Sequence, residues 1–531
     1  MEWLAGRIML LSGGSRACVA IAAGLVAVLA LPPFGIFATP FLSFPILVWL
    51  IDGASGDPDH GRLRRSLPAF FIGWCFGFGY FLGGLWWLGN ALLVEADDFA
   101  WALPLAVIGL PALLAIFHGV AAALARLLWS DGMARIAALA FAFGLAEWLR
   151  GFVLTGFPWN ALGYMAMPVP VMMQSAAVIG LSGITMLAVF VFAMPALLGT
   201  RKGLRAGLTL ALLLIAGHFG YGLYRLSQLP PAAADPNMII RLVQPLIDQS
   251  KKLDDRQRAS VFEEHLKLTQ AKPLDGARRP DVVVWPETSV PFILTENPDA
   301  LLRISDVLQE GQILIAGAVR AEDAGAGQPP RYYNSIYVID DRGQIVGAAD
   351  KTHLVPFGEY LPFEQLLSSA GLQAIAAAMP GGFTASASRA LLTLPGGRTL
   401  YPLICYEAIF PGEIGDNALA ASALLNLTND AWFGDTPGPY QHFQQARLRA
   451  VETGLPLIRA ANTGISAVVN ARGEVVTGFP FGTKGFVDTI LPGKLDLLMY
   501  PRDQARNALL IAGLLLGLAL ISRVSFTSRE N

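Results

Sequence analysis

The chain has 531 residues, 54% of them hydrophobic and 15% charged, with a formal net charge of −2 at pH 7. Ordinary globular domains carry about a quarter charged residues, so the composition excludes a wholly soluble protein. No basic stripe with interleaved aromatics occurs, which excludes a nucleic-acid surface. The shortage of charge is uneven. Residues 16–225 hold long apolar runs, whereas residues 236–360 look like ordinary globular sequence.

In chain order, seven apolar segments come first, at 16–32, 34–51, 67–93, 101–128, 135–154, 170–199 and 206–224, and an eighth lies at 507–523. Several exceed the roughly 18–20 residues that a bilayer crossing needs. The first is expected to be a retained helix rather than a cleaved leader, because further spans follow. Basic loops (Arg62, Arg64 and Arg65; Arg126 and Arg135; Arg201, Lys202 and Arg205) alternate with an acidic one (Glu95, Asp97 and Asp98). The positive-inside rule places the basic loops in the cytoplasm. Seven crossings then put residues 225–500 on the outer face, and the eighth returns the tail to the cytoplasm. Cys18 and Cys75, inside apolar runs, are expected to be small buried hydrophobes.

A proline-rich linker, Leu229–Pro236, opens a different pattern. Short β-rich runs are predicted at Met238–Gln244, Asp281–Trp285, Ile313–Arg320, Tyr332–Ile339, Ile345–Asp350, Thr399–Cys405, Ala423–Thr428 and Ser466–Asn470. Helices are predicted at Asp254–Gln270, Ala300–Glu310, Gly412–Ala420 and Gln441–Thr453. The fold class is therefore a polytopic α-helical membrane domain plus an α/β extramembrane domain. Its parts are residues 1–228 with seven transmembrane helices, 229–500 as the catalytic domain, and 501–531 as a last helix and short tail.

Three polar residues stand just past apolar strands: Glu287 after Asp281–Pro286, Lys351 after Ile345–Asp350, and Cys405 after Tyr401–Ile404. Ligands of α/β sheets bind outside the carboxyl ends of strands, so the three converge if their strands are neighbours. A thiol with an ordinary pKa of about 8.5 needs help to ionise at neutral pH. Glu287 can take its proton, and Lys351 can hold the thiolate and the oxyanion of an attacked carbonyl. Cys405 has neither a disulfide partner in its domain nor metal-ligand spacing. His353 and His442 are read as structural hydrogen-bonding residues. Glu147 and Arg150 are read as a structural pair, with lipid-headgroup contact as the alternative.

These motifs resemble the nitrilase (carbon–nitrogen hydrolase) superfamily. With the membrane segments attached, the chain is similar to the apolipoprotein N-acyltransferase family within it. Glu147–Arg150 followed by Thr155–Trp159, then Asn429–Gly434 and Asn462–Gly464, carry the likeness beyond the triad. The resemblance implies an αββα sandwich with Glu287, Lys351 and Cys405 as catalytic residues, and Glu359, Glu407 and Tyr406 in support. It implies no metal and no organic cofactor. It also implies a phospholipid acyl donor, a diacylated apolipoprotein acceptor, a covalent thioester, and a bacterial inner membrane with catalysis on the periplasmic face. Leu253 stands where that family often has a tryptophan. The apolar stretch Leu366–Pro380 is expected to dip into lipid or cover the acyl chain. Two rival readings are a membrane-tethered amidase with water as acceptor and a transporter-like protein with an inactive outer domain.

Overall fold

The computed structural model describes residues 1–54, 56–57, 59–228, 234–273, 278–325, 327–363, 382–495 and 503–527. The stretch 366–380, expected to cover an acyl chain, lies outside the described residues. Two compact units divide the chain: Met1–Leu229 with Thr436–Gln441 and Tyr500–Asn531, and Pro230–Asp435 with His442–Met499.

The first unit is helical. Among the described residues, five helices are long and apolar enough to cross a membrane: Arg62–Leu93, Ala96–Leu127, Ala176–Gly199, Leu204–Gln228 and Gln504–Ile521. Gly13–Val28 and Pro40–Asp52 are apolar but shorter. Met133–Arg150 has 18 residues and carries Arg135, Glu147 and Arg150. Small residues let these helices approach closely, as in membrane packing generally. A Cβ on Gly24 would run into the Phe76 carbonyl, and one on Gly79 into that of Ile21. Cys18, expected to be buried, is exposed on its helix, while Cys75 is half-buried.

Glu147 and Arg150 form the expected pair, 2.6 Å apart and both buried. His118 lies 2.9 Å from the same carboxylate. Arg150 also donates to the carbonyls of Phe157 and Trp159, and the Leu162 N–H donates to Glu147. The helix end thus fixes the loop that follows it, and the charges are compensated inside the apolar unit, where unpaired ones are costly.

Among the described residues, the second unit holds two six-stranded sheets. The strands are β1 (Ala234–Gln244), β2 (Val282–Val284), β3 (Ile313–Glu322), β4 (Arg331–Ile339), β5 (Ile345–Asp350), β6 (Leu392–Thr393), β7 (Thr399–Ile404), β8 (Ala423–Thr428), β9 (Leu457–Ala461), β10 (Ala467–Val469), β11 (Val475–Gly478) and β12 (Gly485–Pro492). Their orders are β12-β1-β2-β3-β4-β5 and β11-β10-β9-β8-β7-β6. Successive side chains of a strand face opposite ways, and both faces of each sheet are covered. Ile240, Val284, Ile315 and Ile336 share one buried cluster with Leu400, Leu425 and Ile458 of the other sheet. On the outer faces, Leu314 and Ala316 pack with Phe262 and Ile304 of the helices Arg258–Gln270 and Pro298–Val307. Leu403 and Leu424 pack with Ala446 and Ala450. The layers run helix, sheet, sheet, helix, which is the αββα sandwich.

Candidate active site

Both β1–β2 and β2–β3 are parallel pairs. β4 runs antiparallel to β3, and β5 antiparallel to β4. β5 therefore points the same way as β2, and both end at one edge of the sheet although two strands separate them. Cys405 follows β7 of the facing sheet. The three strands are thus not neighbours, as the sequence reading had required. Their ends meet because two stacked sheets bring the same edge together.

Glu287, Lys351 and Cys405 are all buried, with 6%, 1% and 8% of their surfaces exposed. The Lys351 Nζ lies 3.6 Å from Glu287 Oε1 and 2.9 Å from Glu359 Oε1. Asn334, on β4, ties the pair together: its Nδ2 donates to Glu287 Oε1 and to Glu359 Oε1, each at 2.8 Å. The Val355 N–H donates to the other Glu359 oxygen at 2.7 Å. Burial works against the Lys351 charge, yet Glu359 and then Glu287 hold its pKa well above the ordinary lysine value. Burial, reinforced by Glu287, pushes the Cys405 thiol well above its ordinary value, and Lys351 pulls it back. The resting site therefore holds an ammonium and a protonated thiol.

Residues 226–498 match the Carbon-nitrogen hydrolase family, and residues 23–194 match the Apolipoprotein N-acyltransferase N-terminal domain. The apolipoprotein N-acyltransferase of Rhizobium meliloti (strain 1021) is 67% identical over 531 residues, covering 100% of both chains. That of Agrobacterium fabrum (strain C58 / ATCC 33970) is 60% identical over 533 residues, again covering 100% of both. The chain belongs to the apolipoprotein N-acyltransferase family. Its fold is the nitrilase-like sandwich of that family, joined to a set of apolar helices that make it a membrane protein.

Around Glu287, Lys351 and Cys405, the two further carboxylates make different contacts. Glu359 fixes the lysine, as described. Glu407 faces the loop after β5: its Oε1 accepts from the Thr352 N–H at 2.8 Å, the Thr352 hydroxyl at 2.7 Å, the His353 N–H at 3.1 Å and Arg389 at 2.7 Å. Its Oε2 accepts from the Ile404 N–H at 2.6 Å. Burial raises the Glu407 pKa, but Arg389 and these bonds outweigh it and hold the carboxyl below its ordinary value. With five donors engaged, Glu407 is a tie between the Lys351 loop and the Cys405 turn. Tyr406 packs edge-on against Phe410, with ring centres 5.0 Å apart, and against His353 at 5.6 Å. His353 stacks on Phe410 at 4.0 Å and pairs with Glu413, in keeping with a structural role.

Two residues beside the site escaped the sequence reading. Asn334 lies inside β4 between Tyr333 and Ser335, and the Lys351 N–H, which donates to the Asn334 carbonyl at 2.8 Å, sets it beside the lysine. Lys252 donates to the Glu287 carbonyl at 3.2 Å and to the Thr288 hydroxyl at 3.1 Å. Burial lowers its pKa to about 8, with Glu287 opposing. The signal available was its place beside Leu253, which is exposed.

Proposed function

We propose that the chain moves an acyl group from a phospholipid to the α-amine of a diacylglyceryl-cysteine at an apolipoprotein's amino terminus, through a thioester on Cys405. The observation that carries this reading is the burial of Glu287 and Lys351, 3.6 Å apart, together with that of Cys405, which directly follows β7 of the facing sheet. Glu287 Oε1 is engaged by Asn334 and faces Lys351, which leaves Oε2 for the thiol proton. As that proton moves to Glu287, sulfur bonds to the donor's ester carbon, and Lys351 stabilises the oxyanion. The ester C–O bond then breaks, and the lysophospholipid oxygen leaves with the proton from Glu287. In the second half the amine attacks the thioester carbon. Glu287 takes the amine proton and returns it to the departing sulfur. No step calls for a metal or an organic cofactor.

Glu359, Glu407 and Tyr406 support the triad by position. The proposed domains are residues 1–228 with seven crossings, 229–500 as the catalytic domain, and 501–531 as the last crossing and tail. The proposed location is the bacterial inner membrane, with the catalytic domain on the periplasmic face. Membrane attachment suits the donor. Burying one methylene is worth about 0.8 kcal/mol, so drawing a chain of about 15 methylenes into water would cost roughly 12 kcal/mol.

The test is the intermediate. With phospholipid present and no acceptor, the wild-type protein is expected to gain the mass of one acyl group, released by neutral hydroxylamine. Cys405→Ala is expected to gain none. Adding a diacylglyceryl-cysteine peptide should discharge the label into an amide. Rapid release of free fatty acid without an acceptor would favour the amidase reading, and acyl transfer by Cys405→Ala would end the covalent one.

A further inference from the structure

Cys405 has a backbone φ of 50°. That left-handed region is one that residues with side chains avoid, because Cβ crowds the backbone there. Something beyond β7 must therefore hold the nucleophile's backbone. Its carbonyl oxygen lies 3.1 Å from Nε2 of His442, a residue with 0% exposure on the helix Pro437–Thr453. A carbonyl can only accept, so Nε2 carries a proton whichever form the ring takes.

The other ring nitrogen is anchored as well. Nδ1 lies 2.8 Å from Asp430 Oδ1 and 3.2 Å from Arg459 Nη2, an acceptor and a donor. Nδ1 is thus satisfied with or without a proton. Arg459 donates to Asp430 Oδ2 at 2.8 Å and to Asn426, and the Thr428 hydroxyl donates to Asp430 Oδ1 at 3.0 Å. Asp430 and Arg459 are both at 0% exposure. The imidazole is therefore fixed at one end by a buried ion pair on β8's end and β9. Its other end is fixed on the peptide of the nucleophile.

We propose that His442 is a positioning residue for acyl transfer: by clamping the Cys405 carbonyl it holds the left-handed turn that aims the thiol. The Cys405–Tyr406 peptide is planar, so fixing this carbonyl also fixes the Tyr406 N–H on its opposite side. His442 moves no proton in this role and acts only through Cys405. The inference rests on the reading of Cys405 as the acyl-carrying nucleophile. A packing role alone would need no donor at this place, and an apolar side chain would fill the space without a buried Asp430 and Arg459 to orient it.

Two variants separate positioning from packing, tested in the full-length protein in phospholipid vesicles. In His442→Gln the amide nitrogen falls near the position of Nε2 and keeps a donor for the Cys405 carbonyl. In His442→Asn the amide nitrogen falls near Nδ1, which keeps the Asp430 partner and loses the carbonyl. The readouts are the rate of acyl-enzyme formation by mass spectrometry, the apparent KM for phospholipid, and thermal unfolding. His442→Asn is expected to slow acylation about 10²-fold, the scale for small misplacements of reacting groups, with KM within about twofold. His442→Gln is expected to stay within about tenfold of wild type, since it keeps the one hydrogen bond at issue. Equal slowing of both variants in step with lost thermal stability, or no slowing of His442→Asn, would overturn the proposal. Should His442→Asn not fold, the rate of His442→Gln decides: within about tenfold of wild type supports the clamp, and a folded but slower protein refutes it. A wild-type protein that forms no acyl-enzyme would sink the nucleophile reading itself, a result distinct from either variant outcome.

Discussion

Lys351 sits between two carboxylates, 2.9 Å from Glu359 and 3.6 Å from Glu287, with 1% of its surface exposed. Its folded pKa is raised, so the stability it contributes is fully present below the unfolded lysine value of about 10.4. That contribution is lost only as pH climbs through the higher folded value. The lysine is thus a fixed cation across the neutral range and cannot serve as the base. Replacing it by Met would leave Glu287 and Glu359 facing one another with only the Asn334 amide between them. Lys351→Met is expected to lose at least about 10²-fold in turnover, the scale for one oxyanion donor, while phospholipid binding persists in a vesicle-binding assay. Near-normal acylation by the variant would remove lysine from the chemistry. At this scale the sequence was most informative where an ionisable or nucleophilic group follows a strand within three residues. Glu287, Lys351 and Cys405 each do so. His442 was legible as a hydrogen-bonding residue but its partners were not, and Asn334 was opaque altogether, because both meet distant segments that a polar residue inside a strand or a helix does not announce.

The elements explain how distant residues meet. β2 and β5 end at one edge because the antiparallel steps through β4 restore direction, and no sequence periodicity reports direction across a sheet. The strands with steady apolar runs were legible, among them β3, β4, β7 and β8. β9 was missed because it is five residues long and carries Arg459. β12 was missed because it pairs only along the edge and stays half-exposed over most of its length. The helix expected over Gly412–Ala420 is instead two short 3-10 turns, Pro411–Glu413 and Asp416–Ala420, separated by Gly415. One element-level contact sets the base. β3 passes the turn that carries Glu287 so closely that a Cβ on Gly317 would lie 2.6 Å from the Pro286 carbonyl oxygen and 2.7 Å from the Glu287 Cα. These are backbone atoms of a turn whose Thr288 holds φ at 44°, so little can give. Overpacking of this kind costs about 1–3 kcal/mol. Gly317→Ala is therefore expected to slow acyl-enzyme formation at least about tenfold by shifting the base, while far-UV circular dichroism keeps its wild-type shape. A wild-type rate for Gly317→Ala would show that the turn moves without consequence for Glu287.

On the scale of the whole molecule, the side of the membrane that each loop occupies decides where the chemistry happens. Basic loops prefer the cytoplasm, and those at Arg62–Arg65 and Arg201–Arg205 lie on either side of the acidic Glu95–Asp98. Between Gly61 and Asp254 lie four long apolar helices, Arg62–Leu93, Ala96–Leu127, Ala176–Gly199 and Leu204–Gln228. Met133–Arg150 lies between them too, and its three ionisable residues leave its crossing to be decided. If it crosses, an odd number of spans separates the two positions and they face opposite sides. The burial of Glu147 against Arg150 and His118 removes the main electrostatic objection to a crossing, because the charges are paired inside the helical unit. Both probe positions are exposed, and a Cβ on Gly61 meets nothing within 4 Å, so a cysteine fits either place. In a background with Cys18→Ala and Cys75→Ala, a membrane-impermeant maleimide added to spheroplasts is expected to label Asp254→Cys. Gly61→Cys should react only after lysis. The reversed pattern would put the catalytic domain in the cytoplasm, away from the acceptor proposed for it. Labelling of both from one side would make the number of crossings even and take Met133–Arg150 out of the set.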